Sequence, residues 1–374
     1  MNVLFIDQAF QKIYHLSEQE IYTYFHCVCL FFPLRGINMA YLNDVLHAQI
    51  DRSFEVLGVI GLLIIQVASI FVTPILAYFF IFHTRFWWLC ILYICWYLFL
   101  DNEIHERGGR RIEWVRKWSW WTYLSKYFPV KAVRTSNEKL DPKRNYLFCY
   151  FPHGVLSTGA FCTLGTNAGG FPELFPDHKT YLHTLSLFFK LPFIRELALW
   201  LGGLSASGRS LSHVLSRPEG GNISGLVVGG AVEAFYCKPG LHKIVYKKRK
   251  GFIKIAIKKG SPLVPVYCFG ETDLYTLSNF SGSAYFNKFR DLVKRVMGFV
   301  IIFPKSREFL GILPNRHPLT VVVGDPIDVQ KIENPTQEQI DELHQKFEKK
   351  LIELFDDQKK NYLENFEEAH LEII

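Results

Sequence analysis

The chain has 374 residues, 49% of them hydrophobic, 16% aromatic and 21% charged, apolar enough for a large core and unlike an extended disordered region. Its net charge of +7 is uneven: residues 331–374 hold 12 acids against 6 bases, which leaves the first 330 residues at +13. A basic body serves nucleic acid, anionic membrane surfaces or phosphorylated small molecules, and charge alone does not choose among them.

Residues 1–50 read as an N-terminal segment on the cytosolic side or at the membrane interface; its apolar stretch Ile21–Leu34, followed by Arg35, suits lying on a membrane better than a crossing. The next segment, residues 51–102, is the loudest signal in the chain. From Val56 to Leu100 there are 45 residues with one full charge, Arg85, and one histidine, His83. Val56–Phe82 runs for 27 residues without a charge, and a bilayer core asks for roughly 20 helical residues. Phe86–Leu100 is only 15 residues long and rich in aromatics, which suits an interfacial or re-entrant arm. Pro74 divides the first stretch. The pair predicts a membrane helical hairpin, either two crossings or a wedge, with both ends on one side. A signal peptide is excluded by position and by Asp51 and Glu55.

Residues 103–330 carry the basic excess expected of a cytoplasmic side. Two sequons there, Asn222-Ile-Ser224 and Asn279-Phe-Ser281, offer a topology test, because glycosylation of either would place the domain in the lumen. Short β-rich runs alternate with helical stretches, which predicts an α/β sheet with helices on both faces. The expected strands are Tyr146–Tyr150, Gly225–Val228, Leu263–Phe269 and Leu319–Val323, each followed by turn residues. An α/β sheet places its chemistry there, at the carboxyl ends of strands. Residues 331–374 read as an amphipathic helix and tail, opening at Thr336 with Gln339 in capping-box register and repeating Ile340, Leu343, Phe347, Leu351 and Leu354 at helical spacing.

Several catalytic signatures are missing: no Gly-x-Ser-x-Gly elbow, Walker loop, Gly-x-Gly-x-x-Gly or His-Glu-x-x-His occurs. The eight cysteines form no Cys-x-x-Cys pair, so a zinc ribbon or disulfide framework is disfavoured and a reducing compartment fits. What is present is a histidine at a strand-to-helix turn, Phe151-Pro-His153-Gly154. An imidazole held there can act as general base toward an alcohol, and the amides from Gly154 onward can bind a developing oxyanion. The plainer alternative is a strand-end histidine holding a backbone carbonyl. In Val228-Gly229-Gly230-Ala-Val-Glu233 an acid follows an apolar strand within one turn; it either orients His153, holds the acceptor hydroxyl or complements a helix dipole. The run from Lys243 to Lys259 carries eight bases and no acid. It suits the phosphates of a nucleotide-like donor, anionic lipid head groups or a solvated helix face. Nucleic acid is the weakest partner, because stacking aromatics are not interleaved with these bases.

These residues resemble a family, the acyltransferases that include diacylglycerol acyltransferase type 2, the monoacylglycerol acyltransferases and the acyl-CoA wax-alcohol acyltransferases. The resemblance runs from about Tyr146 to Asp328 through Phe151-Pro-His-Gly154, Gly202-Gly-Leu204 and Arg209, Val228-Gly-Gly-Ala-Val-Glu233, Arg249-Lys-Gly-Phe252, Leu263-Val-Pro-Val266, Phe269-Gly-Glu271 and Val323-Gly-Asp-Pro326. It implies transfer of a fatty acyl group from acyl-CoA, used as a substrate with no cofactor or metal, to a neutral-lipid hydroxyl. Diacylglycerol is the first expectation, with monoacylglycerol or a long-chain alcohol as alternatives. The implied setting is the cytosolic face of the endoplasmic reticulum membrane and lipid droplets, and a homo-oligomer is compatible with it. His153 matches the family's catalytic histidine and Glu233 its acidic companion. Arg209, Lys247, Lys248, Arg249 and Lys250 are the expected donor-binding residues. Phe151 stands where the family usually carries a first histidine, and Thr158 stands where glycerol-phosphate acyltransferases carry an aspartate. A different class also fits: a membrane-anchored, non-catalytic lipid-binding or droplet-associated protein.

Overall fold

The computed structural model describes residues 39–136, 138–277, 288, 292–293, 304–308 and 311–374. The stretch Ile21–Leu34 and the sequon at Asn279 lie outside the described residues. The chain divides into two compact units, Met1–Asp51 and Arg52–Ile374. Of the first, residues 39–51 are the opening turns of helix α1 (Met39–Leu63).

The uncharged block folds as the end of α1, a π-helical stretch at Ile64–Ala68, α2 (Ser69–His83) and α3 (Trp87–Leu100). Among the described residues no single helix is long and apolar enough to cross a membrane; His47–Gln66 and Phe71–His83 together are, with a bend of 72° between them. Pro74 accounts for where the bend falls, since it cannot donate to the Ile70 carbonyl and its ring crowds that group. α2 and α3 pack on each other, yet α3 buries no residue. Phe82 and Phe99 are 68% and 81% exposed, among other exposed large apolar side chains of these helices such as Phe71, Ile75, Leu92 and Leu100. The end of α1 is tied to the rest by α4 (Ser119–Tyr127). A Cβ on Gly58 would lie 3.0 Å from the Leu124 nitrogen, and one on Gly61 2.4 Å from the Trp120 ring. Two glycines three apart share one helix face and let the helices approach.

Seven strands form the central sheet: β1 (Lys131–Arg134), β2 (Asn145–Phe151), β3 (Lys179–Thr184), β4 (Gly203–Ser205), β5 (Asn222–Val227), β6 (Leu263–Phe269) and β7 (Thr320–Val323). Their spatial order is β1-β7-β6-β2-β5-β3-β4; β2 to β6 run parallel, β7 is antiparallel to β6 and β1 parallel to β7. Side chains alternate across the pleat. Tyr146, Phe148 and Tyr150 of β2 therefore enter one core cluster with Trp121 and Leu124 of α4 and with Leu62, while Leu147, Cys149 and Phe151 enter the other. That second face is covered by α5 (Gly208–Leu215), α6 (Gly251–Lys259) and α7 (Gln337–Tyr362). α7 opens with both bonds of the Thr336/Gln339 capping box and buries Ile340, Phe347, Leu351 and Leu354.

The four expected strands exist, Leu263–Phe269 with the expected ends and the other three with shifted ones, and β1, β3 and β4 escaped the sequence pattern because they are short or carry polar residues. β5 begins three residues before its expected start, so the sequon Asn222-Ile-Ser224 lies in the sheet. Asn222 is 2% exposed and its amide donates to Asn145 Oδ1 and the Gly220 carbonyl. A glycan cannot be carried there in the folded protein, and this sequon is no topology reporter.

One buried cation joins several loops. Arg116 is 1% exposed and donates to the carbonyls of Leu164, Gly165, Thr166 and Leu201, to Asn167 Oδ1 and to Thr180 Oγ1. Three of these carbonyls end the helical stretch Thr158–Gly165, where a helix leaves acceptors unpaired. Arg116→Met is expected to lower unfolding stability by about 3–5 kcal/mol, read as a fall in the denaturation midpoint of detergent-purified protein; a midpoint within error of wild type would contradict the role.

Candidate active site

β2 ends at a cis Phe151–Pro152 peptide bond, and His153 follows immediately. The turn is closed by Ser157, whose amide and hydroxyl both donate to the His153 carbonyl at 3.0 Å. Ser157 adopts φ 53°, a left-handed backbone that a non-glycine residue keeps only when its surroundings impose it. His153 Nδ1 lies 3.1 Å from the Gly154 carbonyl. A carbonyl only accepts, so the proton sits on Nδ1 and the lone pair on Nε2. Burial holds the imidazole below its ordinary pKa against the opposing bond to Gly154. The ring is therefore mostly neutral near pH 7, with the protonation a general base requires.

Glu233 is brought to His153, but through the backbone. β2 and β5 are paired neighbours, and the 3₁₀ turn after β5, Gly230–Tyr236, carries Glu233 back over the strand end. Its Oε2 accepts from the His153 amide at 2.6 Å and its Oε1 from the Val245 amide at 2.7 Å. The sequence admits three roles for this acid, orienting the imidazole, holding a hydroxyl or complementing a helix dipole; in the structure each of its oxygens accepts from a backbone amide. The two glycines ahead of it have separate reasons. A Cβ on Gly229 would sit 1.9 Å from the Glu233 carboxylate, and Gly230 has φ 66°. Desolvation raises the Glu233 pKa to about 7, against the two amide bonds and Arg249.

A second carboxylate lies beneath the same turn. Glu271, fully buried, accepts from the Thr158 amide on Oε1 and the Gly159 amide on Oε2, each at 2.8 Å. Burial raises its pKa to about 7 against these bonds. The expected oxyanion amides divide accordingly. Those of Ser157, Thr158 and Gly159 already donate within the protein, whereas among the described residues no hydrogen bond to an acceptor occurs from the Gly154 amide. Gly154 has φ 60°, and a Cβ there would lie 2.7 Å from Glu271 Cγ. Sequence reasoning left Glu271 without a role. The available signal was an acid placed directly after an apolar strand and a glycine, the same pattern that singled out Glu233.

The expected donor-binding residues do not form one face. Arg249 donates to the Gly229 carbonyl at 2.9 Å, beside Glu233. Lys250 pairs with Asp341 of α7 at 2.6 Å. Lys247 and Lys248 are exposed on the connection into α6, the Lys247 amide meeting the Ile374 carbonyl, and Lys243 pairs with Glu372. Arg209 forms a two-bond exposed pair with Glu103 at 2.9 Å and lines a surface cleft of about 520 Å³ with Arg107, His213, Arg217 and Lys259. Phe151 fills an aromatic cluster with Tyr246 and Phe347 on the α7 side of the sheet. A histidine there would meet an apolar core.

The raised Glu233 pKa has a definite sign. The folded state binds this proton more tightly than the unfolded chain, so the associated stability is full below about pH 4.5, the unfolded value, and is lost as pH rises through about 7. Glu233→Gln has no such titration. The wild-type denaturation midpoint is expected to rise relative to that of Glu233→Gln as pH falls from about 8 to about 6; a constant difference would contradict the buried, proton-linked carboxylate.

Comparison with known proteins places the chain. A family model described as "Diacylglycerol acyltransferase" matches residues 79–373. 2-Acylglycerol O-acyltransferase 1 of Bos taurus is 42% identical over 283 residues, covering 74% of this chain and 83% of that protein. Diacylglycerol O-acyltransferase 2 of Danio rerio is 40% identical over 291 residues, covering 76% and 79%. Acyl-CoA wax alcohol acyltransferase 1 of Homo sapiens is 40% identical over 283 residues, covering 75% and 85%. With the family model matched over most of its length, this chain belongs to the diacylglycerol acyltransferase family.

Proposed function

We propose that this protein moves a fatty acyl group from acyl-CoA to the free hydroxyl of diacylglycerol, making triacylglycerol, with His153 as general base. The observation that carries the reading is the presentation of a neutral imidazole at the carboxyl end of a central parallel strand, next to the Gly154 amide, from which no hydrogen bond runs to an acceptor among the described residues. His153 Nε2 takes the hydroxyl proton as the oxygen attacks the thioester carbon. The tetrahedral oxyanion is met by the Gly154 amide, the carbon–sulfur bond breaks, and the imidazolium returns its proton to the coenzyme A thiolate. No covalent enzyme intermediate is needed. Lys247, Lys248, Arg249 and Lys250, on the connection into α6, are proposed for the donor's phosphates; Arg209, on the cleft beside α5, belongs to that proposal. The exposed apolar face of α2 and α3 supports a membrane-embedded arm that keeps the site where a greasy acceptor already resides. The endoplasmic reticulum membrane, with the catalytic domain cytosolic, and the lipid droplet surface are the settings proposed.

A second reading, monoacylglycerol as acceptor, is favoured by one observation: the bovine 2-acylglycerol acyltransferase is as similar as the diacylglycerol enzyme. Membranes containing the protein, given labelled oleoyl-CoA with diacylglycerol, monoacylglycerol or a long-chain alcohol, separate these. Label is expected in triacylglycerol, and His153→Ala should lower that rate by about 10²–10⁴-fold, the usual contribution of positioned proton transfer. Label in another ester reassigns the acceptor; a His153→Ala rate within a few-fold of wild type removes His153 from the chemistry.

A further inference from the structure

The helical stretch Thr158–Gly165 behind the His153 turn carries a buried group of matching charge at each end. Glu271 takes the Thr158 and Gly159 amides at one end, and Arg116 takes the Leu164, Gly165 and Thr166 carbonyls at the other. Opposite charges at the two ends match the helix dipole. Among the described residues no cation pairs with Glu271. The groups facing it are Tyr150 of β2, Cys162 of the helical stretch, Cys268 of β6 and Cys237, none of them cationic. A carboxylate in such a setting is held by its two amide donors, and its position is correspondingly fixed. It also meets the turn sterically. A Cβ on Gly154, where φ is also 60°, would fall 2.7 Å from Glu271 Cγ, so the turn approaches it there as glycine; a Cβ on Gly159 would meet the Tyr150 hydroxyl at 2.3 Å and Cys268 Sγ at 2.8 Å first, with Glu271 Oε2 at 3.1 Å.

We propose that Glu271 is a positioning residue for His153: by taking the Thr158 and Gly159 amides it fixes the turn that presents the imidazole and leaves the Gly154 amide as the donor toward the reacting carbonyl oxygen. With the helix opening occupied by a protein carboxylate, an anionic intermediate finds its donor at Gly154 and not deeper along the helix. The inference rests on the acyl-transfer reading above and adds to it a second carboxylate, on β6's end, that never touches substrate.

The test uses the full chain in purified membranes and in detergent. Glu271→Gln keeps the side chain's size but turns an NH2 toward one of the two amides, while Glu271→Asp keeps both acceptors on a shorter arm. In Glu271→Gln, kcat for acyl transfer is expected to fall about 10–100-fold, the effect of displacing a catalytic group by an ångström or less, with KM for oleoyl-CoA within about threefold. Glu271→Asp should recover part of kcat. Amide hydrogen exchange supplies a readout independent of turnover. Peptides spanning residues 154–165 should exchange about tenfold faster in Glu271→Gln, with β2, β5 and β6 unchanged. Unaltered kcat and unaltered exchange in that segment overturn the proposal, as does faster exchange throughout the sheet, which marks a general core role. If the wild type acylates no acceptor, the acyl-transfer reading fails by itself, and the exchange comparison still decides whether Glu271 anchors the turn.

Discussion

Two buried carboxylates hold one turn by its backbone, and the rest of the site depends on that arrangement. Glu233 grips the amide of His153 and Glu271 the amides of Thr158 and Gly159, so the four residues between His153 and Thr158 have little freedom to relax. An amide donated to a carboxylate is stronger than one donated to a neutral acceptor, and removal of either acid would strand buried donors. Glycines stand where the carboxylates pass closest: Gly229 under Glu233, and Gly154 against Glu271.

The electrostatic consequence is a histidine whose ring, among the described residues, bonds to a backbone carbonyl and to no charged side chain. A carboxylate on Nδ1 would raise the imidazole's basicity and favour its charged form. The Gly154 carbonyl fixes the same tautomer at less electrostatic cost to the neutral form, and burial keeps the ring neutral. Orientation and proton affinity are thereby set by different groups: the carboxylates place the backbone, and the backbone places the ring.

The apolar arm obeys a different constraint. α2 and α3 pack on each other, α3 meets the rest of the chain through Tyr93 on Glu196 and Phe193 and through Trp96 and Tyr97 under Arg195, and the end of α1 meets α4 closely through Gly58 and Gly61. α4 in turn shares a core with Phe161 of the stretch behind His153, through the edge-on contact of Trp121 with the Phe161 ring. Packing thus links the end of α1, through α4, to the helical stretch behind His153.

Much of this was readable from local pattern. Strand β6 is seven consecutive buried residues with turn chemistry after it, the capping box at Thr336 is a local rule, and the 27-residue uncharged run announces itself by length. His153 stood out because strand, proline and glycine are neighbours in sequence. The residues that hold it are not. Whether Glu233 would touch the ring or the amide, whether eight bases from Lys243 to Lys259 would face one ligand or be divided among Glu372, Asp341 and the Gly229 carbonyl, and whether Asn222 would be a surface sequon or a strand core were decided by which strands became neighbours. Composition and spacing determine which side chains can do chemistry and which segments must leave water. Hydrogen bonds between elements 80 and 113 residues apart, as from His153 to Glu233 and from Thr158 to Glu271, exist only after the sheet has set its strand order, and they decide what each acid does.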